Sequence, residues 1–198
     1  IQKFLVPSEG IPANIPDFLL VMGGPMSIND PDPWIAQEIG YIRQAIDAGI
    51  PILGICLGSQ FIAKALGGEV RLGPRLEIGL VPVSLTIEVG TDPVFGIFPP
   101  TLEVFQWHSE GLTLPPGATL LASSKYFPVQ AFRYGERVYG LLFHLELERE
   151  GVEALCRNCP SDVQKAGIST EVLLESAAKL FPQSHDLANQ FIAHLTQK

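Results

Sequence analysis

The segment Gly54-Ile55-Cys56-Leu57-Gly58 constrains the fold of this chain more than any other part of the sequence. It joins an apolar, β-branched run at 50–55 to a stretch at 57–66 whose composition predicts a helix. A strand that turns sharply into a helix strains the residue at the turn, and side chains beside that residue would clash. Glycine near Cys56 on both sides therefore predicts an elbow that presents a thiol above the carboxyl end of a sheet.

Cys56 has two interpretations. A free cysteine is among the most buried residue types, so an inert core cysteine is the simpler one. The two glycines and the strand-to-helix context favour a reactive cysteine instead. The start of a helix also stabilises the thiolate, which is the nucleophilic form.

Strands and helices alternate in the first part of the chain. Residues 18–22 form an apolar run that ends in a Gly-Gly-Pro turn, and 34–48 carry isoleucine at helical spacing. This order predicts an α/β fold: three layers, with an open, mostly parallel sheet between helices and a small antiparallel portion. Further strands are expected at 77–89, 103–107, 118–123, 129–134 and 137–144. Helices are expected at 148–158, 170–180 and 185–196, the last two separated by Pro182. We expect one domain over 1–198, with about 150–198 as a helical cap.

Charge and cysteine usage narrow the function classes. The chain has 198 residues and a net charge of −8, which argues against nucleic acid or an anionic membrane as the main partner. No run reaches the roughly 18 apolar residues of a membrane span, and we see no signal peptide. Three cysteines do not fit a secreted disulfide framework and favour a cytoplasmic protein. Cys156 and Cys159 lack the second ligand pair that zinc requires, and we interpret them as structural.

A thiol nucleophile needs a histidine that takes and returns a proton. His144 follows an apolar run, and Glu146 lies two positions later, on the same face of an extended chain. Glu146 can therefore orient the imidazole, as the third group of a triad does. His108 is expected to be structural or to line the substrate site. His185 and His194 are expected on a surface helix and receive no role.

Acyl transfer builds negative charge on the former carbonyl oxygen, and backbone N–H groups directed at that oxygen stabilise it. The amide of Leu57 follows the nucleophile at a helix N-terminus and is one candidate donor. A second donor must come from another loop at a strand end. Residues 23–25, Gly-Gly-Pro, suit that role because glycine lets the backbone approach a substrate closely.

Together these motifs resemble those of the class I glutamine amidotransferases. Gly-Gly-Pro at 23–25, the elbow at 54–58 and Phe-His-Leu-Glu at 143–146 occur in the family's order. Met-Gly-Gly-Pro-Met-Ser at 22–27, Glu-Ile-Gly at 77–79, Gln-Trp-His at 106–108 and Gln-Ala-Phe-Arg-Tyr-Gly at 130–135 resemble free-standing proteins related to the GMP synthase amidotransferase domain. The resemblance covers about 17–150 and implies a flavodoxin-like fold. It also implies that the family's first strand and first helix precede residue 1.

The resemblance implies that Cys56 is the nucleophile, His144 the base and acid, and Glu146 its orienter. It further implies roles for four residues around this group: Gly24 and Leu57 as oxyanion donors, and Gln60 and Gly58 as substrate-binding residues, of which Gly58 also keeps the elbow open. Where the family often has proline between the histidine and the glutamate, this chain has Leu145. No metal or other cofactor is implied. The substrate would be glutamine, and the ammonia would pass to a synthetase on another chain unless no acceptor exists.

Three alternatives stay open at this stage. A γ-glutamyl peptidase or hydrolase would use the same thioester chemistry on a different leaving group. A non-catalytic regulatory subunit would keep the scaffold without the reaction. A redox or chaperone protein of a related cysteine-elbow superfamily is the third, and the His-x-Glu sequence at 144–146 disfavours it.

Overall fold

A computed structural model describes residues 1–197 and contains a seven-stranded sheet in the order β1-β2-β7-β6-β5-β3-β4. The strands are β1 Leu19–Val21, β2 Ile52–Ile55, β3 Val70–Leu85, β4 Thr101–Leu112, β5 Ala118–Ser123, β6 Ala131–Tyr134 and β7 Val138–Leu141. The helices are α1 Val6–Glu9, α2 Pro33–Asp47, α3 Leu57–Ala65, α4 Arg149–Asn158, α5 Pro160–Ala166 and α6 Thr170–Thr196. Two 3-10 turns, Ile87–Thr91 and Phe95–Ile97, follow β3.

The parallel part of the sheet positions the elbow. β2 pairs in parallel with β1 on one side and with β7 on the other. All four residues of β2 are buried, as the continuous apolar run predicts for a central parallel strand. Because β1, β2 and β7 run in the same direction, their carboxyl ends lie at one edge of the sheet. The loops that follow these three strands therefore meet there.

The antiparallel part of the sheet is larger than the sequence predicted. Four of the strand pairings, β7-β6, β6-β5, β5-β3 and β3-β4, are antiparallel, against two that are parallel. The α/β class is confirmed, but the expectation of a mostly parallel sheet with a small antiparallel portion is wrong in its proportions. A parallel neighbour needs a crossover helix, and the chain from β3 to β7 contains only turns and 3-10 turns. The tight turn at Gly135, with φ of 58°, joins β6 to β7.

Helices cover both faces of the sheet, which gives the predicted three layers. On one face, α2 and α3 pack against the sheet through Ile42, Phe61 and Ile62. On the other face, α6 and the 3-10 turns contribute Phe95, Leu187 and Phe191. A third apolar cluster joins α4 and α6 to the β3-β4 hairpin around Trp107.

The C-terminal cap contains one long helix where the sequence predicted two. α6 continues through Pro182, so the predicted break at this proline is wrong. Residues buried on one stripe of the helix keep their helical spacing across the proline: Leu173, Ala177, Leu180, Ser184, Leu187 and Phe191. Burial of this stripe outweighs the backbone hydrogen bond that proline removes. No helix within residues 1–197 is both long enough and apolar enough to cross a lipid bilayer.

Candidate active site

Cys56 lies at the junction between β2 and α3, as predicted. Its backbone has φ of 52° and ψ of −111°, and within residues 1–197 it is the one non-glycine residue with positive φ. Such a conformation costs about 1–3 kcal/mol and persists only where the surrounding structure enforces it. The amide of Cys56 donates to the carbonyl of Leu141 on β7 at 2.8 Å, which fixes the turn against the sheet. The side chain is 8% exposed.

Backbone crowding explains both glycines of the elbow. A Cβ on Gly58 would lie 2.0 Å from the carbonyl oxygen of Val21. A Cβ on Gly54 would lie 2.5 Å from the carbonyl oxygen of Gly58. Both distances are far below van der Waals contact, so α3 can approach β1 and β2 only if these positions lack side chains. The structural role of Gly58 is thus contact with β1; the substrate-binding role assigned to it from the sequence stays a prediction.

His144 and Glu146 follow β7 in a segment of bends, in which His144 forms an isolated bridge to Phe105. Nδ1 of His144 is 2.7 Å from Oε1 of Glu146, and the other carboxylate oxygen accepts the amide of Leu145 at 3.0 Å. Because a carboxylate accepts, Nδ1 of the imidazole donates, and the second ring nitrogen is left for Cys56. Leu145 is 3% exposed and packs in the apolar cluster that contains Phe95 and Phe191. The amide of His144 donates to Phe105 on β4 at 2.9 Å, which ties this segment to the hairpin.

The environment of His144 favours its cationic form. Burial alone would lower its pKa, but hydrogen bonds to Cys56 and Glu146, together with their charges, outweigh burial and raise the pKa from 6.5 to about 10. A cationic imidazole in turn favours a thiolate beside it. The site therefore holds an imidazolium at His144 beside Cys56 at neutral pH.

The loop that follows β1 lies over Cys56 and His144. A Cβ on Gly23 would lie 3.3 Å from Cβ of Cys56 and 3.6 Å from Cε1 of His144. A Cβ on Gly24 would lie 3.3 Å from the Leu57 side chain. The three loops at the carboxyl ends of β1, β2 and β7 thus meet at one point, as the parallel order requires.

Comparison with known proteins shows which family has this arrangement of residues. The sequence profile described as "Glutamine amidotransferase class-I" matches residues 5–157. The glutamine amidotransferase-like protein YfeJ of Salmonella typhimurium is 37% identical over 80% of this chain and 69% of that protein. This chain belongs to the class I glutamine amidotransferase family. The family resemblance inferred from the sequence is confirmed.

Two further relatives of this amidotransferase chain differ in length. One subunit of the glutamine-hydrolysing GMP synthase of Pyrococcus abyssi is 35% identical over 77% of this chain and 78% of its own length. The glutamine-hydrolysing GMP synthase of Neisseria meningitidis is also 35% identical, but the match spans only 27% of that protein. Among solved structures, a glutamine amidotransferase from Thermotoga maritima aligns with a TM-score of 0.85 at 29% identity, over all of this chain and 83% of that one.

Gln60 and His108 lie beside the amidotransferase elbow and contact the same carbonyl group. Nε2 of Gln60 is 3.5 Å from the carbonyl oxygen of Glu110, and Nδ1 of His108 is 3.1 Å from it. Burial lowers the pKa of His108 from 6.5 to about 4; the hydrogen bond to the Glu110 carbonyl opposes this shift, and the charge of His144 adds to it. His108 is therefore neutral at physiological pH, and its Nδ1 carries the proton because a carbonyl only accepts. The substrate-binding roles of Gln60 and His108 stay predictions.

Sequence reasoning assigned no role to a buried polar network that supports His108. Glu77 on β3 lies 3.5 Å from Nε2 of His108, and burial raises the pKa of this carboxyl. Gln130 donates to Glu77 at 3.3 Å and accepts from Gln106 at 2.7 Å. Ser27 and Glu110 were missed in the same way. The signal was present: polar residues alternate along the buried strand β4 at positions 106, 108 and 110, which places them on one face.

The remaining histidines and cysteines lie outside this site. His185 contacts the carbonyl of Leu147, and exposed His194 contacts that of Gln190, both from α6. Cys156 and Cys159 are free thiols at the junction of α4 and α5. Among residues 1–197, no group of three or more histidine, cysteine or acidic side chains is arranged to hold a metal ion.

Proposed function

We propose that this amidotransferase hydrolyses the side-chain amide of glutamine through a γ-glutamyl thioester on Cys56. One observation carries the proposal: a strained cysteine at the start of α3 lies beside a histidine whose Nδ1 is 2.7 Å from a carboxylate. A histidine oriented in this way can act as base and acid in turn.

In the first half-reaction, the Cys56 thiolate attacks the side-chain carbonyl carbon of glutamine and forms a carbon–sulfur bond. The electron pair of the carbonyl moves to its oxygen, which lies between the backbone amides of Gly24 and Leu57. When the tetrahedral intermediate collapses, the carbon–nitrogen bond breaks. Protonated His144 gives its proton to the leaving nitrogen, which departs as ammonia.

In the second half-reaction, the now neutral His144 takes a proton from water as the water attacks the thioester. Collapse of the second tetrahedral intermediate breaks the carbon–sulfur bond and releases glutamate. Cys56 leaves as the thiolate, and His144 is again an imidazolium. Glu146 stabilises that cation throughout, because Nδ1 of His144 keeps donating to its carboxylate.

We propose that the ammonia serves a synthetase on a separate polypeptide. The Pyrococcus abyssi relative is named as one subunit of its enzyme, which supports a two-chain arrangement. The chain spans 27% of the Neisseria meningitidis GMP synthase, so similarity to that enzyme does not extend to the synthesis of GMP.

The test compares wild type, Cys56→Ala and Cys156→Ala for ammonia released from glutamine. Cys156 is a matched control, because it is 7% exposed against 8% for Cys56 and also lies at a helix end. We expect Cys56→Ala to lose more than about 1000-fold in rate, and Cys156→Ala to keep the wild-type rate. Release of an amine from γ-glutamyl peptides, with no ammonia from glutamine, would replace the proposal by a γ-glutamyl peptidase. Unchanged activity of Cys56→Ala would refute both.

A further inference from the structure

We propose that Cys156 and Cys159 form a reversible disulfide when they meet a small-molecule disulfide such as oxidised glutathione, and that this bond forms against Trp107. The two cysteines take no part in the proposed hydrolysis of glutamine. The inference concerns a redox modification site in the C-terminal cap, and it holds whatever the substrate of Cys56 is.

Backbone geometry holds the two thiols at a distance that one disulfide can span. Cys156 lies in the last turn of α4, and the amide of Cys159 donates to the carbonyl of Leu155 at 2.8 Å, which continues the helical pattern to residue 159. Residues three positions apart in such a turn have Cα atoms about 5 Å apart. Disulfides require about 4.4–6.8 Å between the same atoms. The two sulfur atoms can therefore meet with little movement of the backbone.

Electrostatic coupling between the two cysteines also indicates that they are close. Both are free thiols. Burial raises the pKa of the Cys159 thiol, and the negative charges of Asp162 and Cys156 raise it further. Cys156 can act on Cys159 in this way only because the two side chains are near each other. The same shift keeps Cys159 protonated at neutral pH, so we expect its exchange with a disulfide to be slow.

The exposure of the two cysteines assigns the order of the steps. Cys159 is half-buried and reaches solvent, whereas Cys156 is 7% exposed. The Cys159 thiolate attacks one sulfur of oxidised glutathione, which forms a mixed disulfide and releases one glutathione thiolate. The Cys156 thiolate then attacks the Cys159 sulfur, which forms the Cys156–Cys159 bond and releases the second glutathione. The two protons lost by the cysteines pass through water to the two glutathione thiolates.

Cys159 is the corner residue between α4 and α5. Its amide makes the last hydrogen bond of α4, and its carbonyl accepts the amides of Asp162 at 3.1 Å and Val163 at 3.4 Å in the first turn of α5. A bond to the sulfur of Cys159 therefore acts on the residue that joins the two helices.

This corner packs against Trp107. Cys156 and Cys159 belong to the apolar cluster that contains Trp107, and the indole N–H of Trp107 donates to Oδ2 of Asp162 at 3.4 Å. The backbone carbonyl of Trp107 lies 3.8 Å from Sγ of Cys56. Trp107 thus connects the corner to strand β4 beside the nucleophile. Because a disulfide near an indole quenches its emission, the fluorescence of Trp107 reports the state of the two cysteines.

Arg157 makes the bond measurable in the wild-type protein. It lies between the two cysteines, so trypsin leaves each cysteine on its own peptide, 150–157 and 158–165. Reduced protein is incubated with oxidised glutathione, blocked with iodoacetamide and digested. We predict that the two peptides are joined, in a species about 2 Da lighter than the sum of the two thiol peptides. Dithiothreitol should separate them again.

A second measurement tests the placement against Trp107. Trp34→Phe leaves Trp107 as the single tryptophan, because the chain has two. Oxidation should lower the fluorescence of this variant, and dithiothreitol should restore it. Cys159→Ser in the same background is the matched control. It keeps Cys56 and the buried Cys156 but cannot form the bond, so its fluorescence should stay constant.

Peptides 150–157 and 158–165 that stay separate after prolonged exposure to oxidised glutathione would overturn the disulfide. A bond from either peptide to the one that contains Cys56 would overturn the pairing. A joined pair that leaves the fluorescence of Trp107 unchanged would overturn its placement against that residue. Failure of the proposed function would leave all of these measurements unaffected, because none of them depends on glutamine.

Discussion

Nδ1 of His144 lies 2.7 Å from Oε1 of Glu146, and a single residue, Leu145, separates the two in the chain. The backbone bends at Leu145 and Glu146, and the Leu145 side chain packs in the apolar cluster that contains Phe95 and Phe191. Burial lowers and hydrogen bonding raises the pKa of His144, and the net result is a rise to about 10. This pair determines the charge state of the site.

Glu146→Gln is expected to lower the rate of ammonia release by at least about 100-fold. Without the carboxylate, the pKa of His144 falls, because burial then acts against the cation with less opposition. The alkaline limit of activity should therefore move to lower pH than in wild type. Rates of ammonia release measured between pH 6 and 10 test this, with exposed Glu148→Gln as the control. An unchanged pH profile would contradict the role of Glu146.

The same pKa shift predicts how stability depends on pH. A histidine whose folded pKa exceeds its ordinary value of 6.5 stabilises the fold below that value, and the contribution is lost as the pH rises through about 10. The stability advantage of wild type over Glu146→Gln should be largest near pH 6.5 and should shrink towards pH 10. Denaturant unfolding at several pH values measures it, and a constant difference would contradict the shift.

Gly58→Ala is expected to destabilise the protein by about 3 kcal/mol or more, because the added methyl group would overlap the Val21 carbonyl. Gly40→Ala is the matched control. Gly40 lies within α2 with no atom within 4 Å of the added carbon, so alanine should stabilise that helix by about 0.5–1 kcal/mol. Denaturant unfolding of both variants tests the pair. A Gly58→Ala variant as stable as wild type would contradict the close approach of α3 to β1.

Pro182→Ala is expected to raise the free energy of unfolding by about 1–3 kcal/mol, because alanine restores a backbone donor inside α6 and is the better helix former. Exposed Gln183→Ala, one position along, should change it by less than about 0.5 kcal/mol. Thermal unfolding of both variants measures the difference. A loss of stability on removing Pro182 would show that the proline supports the helix rather than weakens it.

Local sequence predicted those parts of the fold that local sterics determine. Gly54 and Gly58 predicted the elbow because backbone contacts leave no room for a side chain at either position. The spacing of His144 and Glu146 predicted their contact, although the backbone between them is bent rather than extended. The prediction that the helix breaks at Pro182 was wrong because burial of the apolar stripe of α6 offsets the backbone hydrogen bond that the proline removes. The residues against which this stripe packs are distant in sequence. The balance of parallel and antiparallel pairing depends on which strands become neighbours, and no single segment encodes that.

The site residues that sequence reasoning did not identify contact partners that are distant in the sequence. Ser27 and Glu110 are 83 positions apart and become neighbours only when the loop that follows β1 meets β4 in the folded chain. Gln130 likewise joins Glu77 and Gln106 across strands. The alternation of polar residues along β4 indicates that they share one face. Only the folded chain shows which distant side chains they contact and that they are partly or fully buried.

The most direct test of the proposed chemistry is covalent labelling with diazo-oxo-norleucine, an electrophile that resembles glutamine. We predict a single adduct in the intact mass of wild type and of Cys156→Ala, none on Cys56→Ala, and suppression of labelling by excess glutamine. Labelling that persists in Cys56→Ala, or that glutamine does not suppress, would contradict a glutamine-specific thiolate at Cys56.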